Sequence, residues 1–83
     1  MKLRYFAWVR ERIGASEEEV VLPAKVETIA DLIAWLSARD EGSAHAFEDA
    51  RAIRASIDKM HVKHDAPIAG AREIAFFPPM TGG

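Results

Sequence analysis

The chain has 83 residues, 49% of them apolar and 29% charged, with a formal net charge of -2. This is the make-up of one small packed domain, with no length for a second, and it excludes the disordered and collagen-like classes. The Lys and Arg residues are scattered and build no basic field for nucleic acid, and the absence of cysteine excludes disulfides, thiolate metal sites and a thiol nucleophile.

The opening segment MKLRYFAWVR is interrupted by Arg4 and Arg10, so it reads as neither a signal peptide nor a membrane span, and the expectation is a cytoplasmic protein. Alternation over Lys2 to Val9 predicts a strand with Leu3, Tyr5, Ala7 and Val9 on one side and Lys2, Arg4, Phe6 and Trp8 on the other. RERIGASEEE supplies a glycine and an acidic cluster, read as a solvated turn. The following VVL completes a hairpin whose second strand stops before Pro23.

ETIADLIAWLSARDEG carries the helix signals. Thr28 can cap it, Asp31 sits near the positive end of the dipole, and Gly42 follows its last turn. Ile29, Leu32, Ile33 and Leu36 form one apolar stripe, and Trp35 lies off it, at a flank of the core or on a partner surface. SAHAFEDAR fits a short helix or a loop. AIRASI and MHVKH have strand spacing, HDAP is a turn before Ile68, and REIAFF is the last strand, closed by Pro78. Ile74 and Phe76 share one face of it and Phe77 points to the other. The predicted class is α+β, a mixed five-stranded sheet covered by one main helix in the manner of a β-grasp. Residues 1–77 would form the domain and 78–83 a flexible extended tail.

Side chains for conventional catalysis are sparse. His61 and His64 are three apart in a strand, which sends them to opposite faces and excludes a shared metal, so no metal site is expected. Ser43, His45 and Asp49 are triad residue types without triad placement. No phosphate-binding glycine motif is present.

The ending AFFPPMTGG has an order of its own. Pro78 and Pro79 remove two backbone donors and hold the chain extended, making a spacer after Phe77. The six residues beyond Phe77 span at most roughly 20 Å, enough to enter a partner's cleft. Gly82 and Gly83 have no Cβ, so walls can close around the backbone leading to the terminal carboxylate. Activation as an acyl-adenylate would make that carbon electrophilic toward sulfur or an amine. Phe77 and Met80 are the nearest apolar groups able to offset the entropy of ordering the tail, which the prolines reduce.

These segments resemble a known family. FAWVRERIG is similar to an F-A-x-x-R-E-x-x-G segment, and EIAFFPPMTGG to an E-V-A-F-F-P-P-V-[ST]-G-G ending, of the small subunits of molybdopterin synthase, the MoaD-type sulfur carriers with a ubiquitin-like β-grasp. The resemblance implies that the Gly83 carboxylate is adenylated, with ATP, by an E1-like enzyme and becomes a thiocarboxylate. It implies that the tail, Phe77, Pro78, Pro79, Met80, Thr81 and Gly82, enters the large catalytic subunit. There sulfur passes to cyclic pyranopterin monophosphate to form the molybdopterin dithiolene, in a heterotetramer whose catalytic side chains lie on the large subunit. No bound cofactor, nucleic acid or membrane is implied. Where the family has Asp-Gly-Asp-Glu before the last strand, this chain reads Gly70-Ala71-Arg72-Glu73, which displaces the turn glycine and replaces an acid by Arg72. Alternative readings are a carrier for thiazole biosynthesis, which Phe-Phe-Pro-Pro disfavours, a ubiquitin-like modifier that forms isopeptides, and an interaction domain with an unmodified tail.

Overall fold

The structure, a computed structural model, describes residues 1–79. The elements run β1 (Lys2–Tyr5), α1 (Ala7–Ile13), β2 (Glu17–Glu19), α2 (Ile29–Ser37), α3 (Glu41–Ala46), a 3-10 turn (Ala50–Ala52), β3 (Arg54–Ile57), β4 (Met60–Val62) and β5 (Glu73–Phe77). The sheet order is β2-β1-β5-β3-β4. Its centre is a parallel pair, with Leu3 opposite Ile74 and Tyr5 opposite Phe76, and the remaining pairings are antiparallel. The expected mixed five-stranded sheet is therefore present.

One face of the sheet forms the core. Leu3, Tyr5, Ile74 and Phe76 alternate inward and are fully buried against Ile29, Leu32, Ile33 and Leu36 of α2, the stripe read from sequence. The α2 start is a capping box: Thr28 Oγ1 accepts from the Asp31 N–H and the Asp31 carboxylate accepts from the Thr28 N–H. Trp35 packs partly buried at the edge of this core, with the Arg39 guanidinium 5.9 Å from its ring.

Three expectations are corrected. The strand expected over Lys2 to Val9 stops at Tyr5, and Ala7–Ile13 is a helix. Alternation over eight residues did not separate the two, but Val9 is buried and Ile13, one helical turn on, packs partly buried against the core. Gly14 then ends the helix in the left-handed conformation, φ +89°, its N–H donating to the Arg10 carbonyl at 2.8 Å. The acidic cluster is not a turn. Glu17–Glu19 is itself the second strand, and the VVL segment expected to complete that strand lies beyond it, with Val21 94% exposed. Gly42 does not follow α2, which ends at Ser37; it lies in the first turn of α3, capped by the Asp40 carboxylate accepting from the Ser43 N–H at 2.7 Å. A Cβ at Gly42 would stand 3.1 Å from the Arg12 carbonyl, so the residue lets α3 meet the end of α1 closely.

The segment left as helix or loop is thus α3 and the 3-10 turn, while AIRASI, MHVKH and REIAFF contain β3, β4 and β5 as expected. In the divergent segment before β5, Gly70 takes the left-handed position at φ +79°, and the Asp58 carboxylate accepts the N–H groups of Arg72 and Glu73 at 3.0 and 2.9 Å. Among the described residues no helix is long and apolar enough to cross a membrane.

Candidate functional site

Strand β5 ends at Phe77 because Pro78 has no N–H to continue the ladder. Phe76 is fully buried in the core, stacking edge-on against Phe47 with centroids 5.2 Å apart. Phe77 is half-buried on the opposite face, where its ring centroid is 5.2 Å from that of His61. The two phenylalanines thus point to opposite faces, as alternation along the strand predicts.

The outer face is built by register. Glu17, Arg4, Ala75, Ser56 and His61 stand side by side across all five strands, and Arg54 pairs with Phe77 in the neighbouring row. Ala75 and Ser56 are 7% and 8% exposed, small residues between the larger Arg4 and His61 of the same row. Phe6, 39% exposed, lies at the end of β1, its N–H donating to the Phe76 carbonyl at 3.1 Å. The Arg4 guanidinium is 5.2 Å above the Phe6 ring and 3.7 Å from Glu73. The result is a small-residue centre with Phe6 and Phe77 beside it, and the chain leaves it at Pro78 and Pro79, both partly exposed.

Of the tail positions singled out in the sequence, Phe77, Pro78 and Pro79 stand at the exit from β5. Met80, Thr81, Gly82 and Gly83 lie outside the described residues. Sequence reasoning missed Phe6, Ala75, Ser56 and His61 as neighbours of Phe77. Alternation already put Phe6 and Arg4 on the face opposite Leu3 and Tyr5, but only the parallel pairing of β1 with β5 brings them beside the tail root.

The other constellations stay apart. His64 donates from Nε2 to the Ile53 carbonyl at 2.8 Å while His61 sits against Phe77, and no group of three metal-ligating side chains occurs among the described residues. Ser43 Oγ meets Arg39 at 3.3 Å rather than His45, whose Nδ1 lies 3.5 Å from Glu48.

The main polar network ties the scaffold beneath this surface. Tyr5 donates its hydroxyl proton to Glu18, and Arg39 reaches both oxygens of the same carboxylate at 2.6 and 3.2 Å. The Arg39 hydrogen bond holds the Glu18 carboxyl below its ordinary range. Burial, reinforced by Glu18, raises the Tyr5 hydroxyl so that it stays a donor. The hydrogen bond to Glu18 likewise keeps Arg39 firmly cationic. Strands β1 and β2 are thereby locked to the end of α2.

Comparison with known proteins places these features in context. The ThiS family pattern matches residues 3–83. The molybdopterin synthase sulfur carrier subunit of Escherichia coli (strain K12) is 36% identical over 83 residues, covering 100% of this chain and 99% of that protein. A protein of the same name from Mycosarcoma maydis is 34% identical over 87 residues, covering 100% and 92%. Among solved structures, SAMP1 from Haloferax volcanii superposes with a TM-score of 0.71 at 23% identity, over 100% of this chain and 98% of that one, a likeness of fold.

Proposed function

The chain belongs to the ThiS family, and from that premise we propose that it is the sulfur-carrier subunit of a molybdopterin synthase, with Gly83 as the reacting residue. The observation that carries the reading is a family match running through residue 83, so that Gly82 and Gly83 fall inside it. It is joined by full-length likeness to two proteins named as such carriers.

In this reading an E1-like enzyme joins the Gly83 carboxylate to the AMP moiety of ATP and releases pyrophosphate. A sulfur nucleophile then displaces AMP, leaving a thiocarboxylate. Phe77 and its outer-face neighbours seat the domain on the large subunit while Pro78, Pro79, Met80, Thr81 and Gly82 lead the thiocarboxylate into that subunit's active site. Its sulfur bonds to a carbon of cyclic pyranopterin monophosphate as an oxygen substituent leaves that carbon, water then attacks the Gly83 carbonyl carbon and breaks its C–S bond, and the carboxylate returns for another cycle. Two such transfers make one dithiolene. The chain contributes positioning and the sulfur-bearing group, binds no metal or cofactor of its own, and acts in the cytoplasm. The slim Gly-Gly end is what a narrow partner channel requires.

Reconstitution with the large subunit, the activating enzyme, ATP and a sulfur source tests this. Deleting Gly83, or replacing Gly82 by a bulky residue, is expected to leave the thermal transition unchanged and to abolish molybdopterin formation. A Gly83-deleted chain that still supports product would contradict the assignment.

A further inference from the structure

Ion pairing differs between the two edges of the sheet. At the β2 edge each carboxylate has a partner: Glu17 with Lys2 at 3.1 Å, Glu18 with Arg39 at 2.6 Å and Glu19 with the Met1 amino group at 3.5 Å. At the opposite side, a cleft of about 350 Å³ is lined by Arg51, Ile53, Arg54, Val62, Lys63 and His64. Among the described residues no carboxylate pairs with Arg51, Arg54 or Lys63. Arg54 instead donates to the Arg51 carbonyl at 3.4 Å, and the His64 Nε2–H is taken by Ile53.

Arg54 precedes Ala55 and Lys63 follows Val62, the partner of Ala55, so the two cations stand just beyond the last registered pair at the same end of β3 and β4, and both line the cleft. Like charges so placed destabilise a strand pair, and an anionic group entering the cleft would reverse the sign of that interaction. Arg54 is also the registered neighbour of Phe77, so the cleft is continuous with the aromatic surface at the tail root.

The identity of the anion follows from reach. With the tail extended into a partner, the Gly83 carbon lies up to roughly 20 Å from Phe77. An anion in this cleft is therefore distant from the reacting group and belongs to whatever surrounds the entrance of the tail's channel. Exposed cations gain little from a lone solvated ion, whereas carboxylates already fixed on a protein surface require less ordering when they dock. We propose that this cleft receives a cluster of Asp and Glu side chains on the large subunit, forming a charged rim beside the Phe77 contact. The proposal rests on the sulfur-carrier reading, which supplies the partner.

Binding to the large subunit, measured by calorimetry from about 0.02 M to about 0.15 M salt, tests it. Wild-type binding is expected to weaken with salt. Arg54→Glu should weaken it about tenfold at low salt and flatten the salt response. Lys63→Glu repeats the test at an exposed position should Arg54→Glu fail to fold. Glu41→Lys, an opposite charge change at an exposed position of α3 on the helix-covered side of the sheet, should alter binding by less than about twofold. Arg54→Glu and Lys63→Glu variants that bind like wild type would overturn the proposal. So would a Glu41→Lys gain as large as the Arg54→Glu loss, which would show a net-charge effect alone. No binding by the wild type would instead overturn the reading beneath it, and the rim with it.

Discussion

Phe76 and Phe77 are adjacent and chemically identical, yet the pleat of β5 sends Phe76 into the core and Phe77 onto the open face. Their substitutions should therefore separate stability from binding. Phe76→Ala removes a fully buried ring and should cost about 3–5 kcal/mol. Phe77→Ala should cost about 1 kcal/mol or less while weakening large-subunit binding at least about tenfold. Paired thermal unfolding and calorimetry check this, and a larger stability loss at Phe77 than at Phe76 would place it in the core instead. This contrast is legible in the amino-acid sequence, because period-two alternation needs only the strand assignment. His61 and Ser56 are not legible there as its neighbours, since they reach the same surface through registers that no local pattern encodes.

Elements with complete end signals were legible, and those with ambiguous periodicity were not. Helix α2 has an apolar stripe and the Thr28–Asp31 box, and its start and buried face formed as read although it ends at Ser37, well before Gly42; Thr28→Ala should lower stability by about 1 kcal/mol in denaturant unfolding. Helix α1 was hidden because Tyr5, Ala7 and Val9 satisfy a strand pattern while Val9 and Ile13 satisfy a helical one, and Gly14 was assigned to a hairpin. The acidic cluster misled for a different reason: three consecutive glutamates have poor strand propensity, and their strand is held by Lys2, the Met1 amino group and Arg39.

Glu18 makes the β2 lock pH-dependent. Its folded-state pKa is depressed, chiefly by the Arg39 hydrogen bond, so the unfolded chain binds the proton more readily. The stabilisation is fully present above the ordinary glutamate range and is lost as pH falls through the lower folded value. The melting temperature of the wild type should drop more steeply between about pH 5 and about pH 3 than that of Glu18→Gln. Equal slopes would show that Glu18 does not govern the acid sensitivity of this lock.

At the scale of the whole molecule, helices cover one face of the sheet and, among the described residues, none covers the other, from which the chain departs beside Phe77 at Pro78. The β-grasp reading needed only the order of strands around the α2 stripe, so it survived the misassignment of α1 and β2. The handle-and-arm division came from the Pro-Pro and Gly-Gly pairs, whose backbone consequences do not depend on tertiary context. Everything proposed for the tail depends on Gly83 carrying sulfur. The decisive experiment is the intact mass of the protein after incubation with ATP, an E1-like activating enzyme and a sulfur donor. The mass should rise by the difference between one sulfur and one oxygen, with the gain located on the terminal peptide and absent when Gly83 is deleted. An unchanged mass, with the same enzyme shown to load another carrier of this family, would mean that Gly83 is not the sulfur-bearing residue.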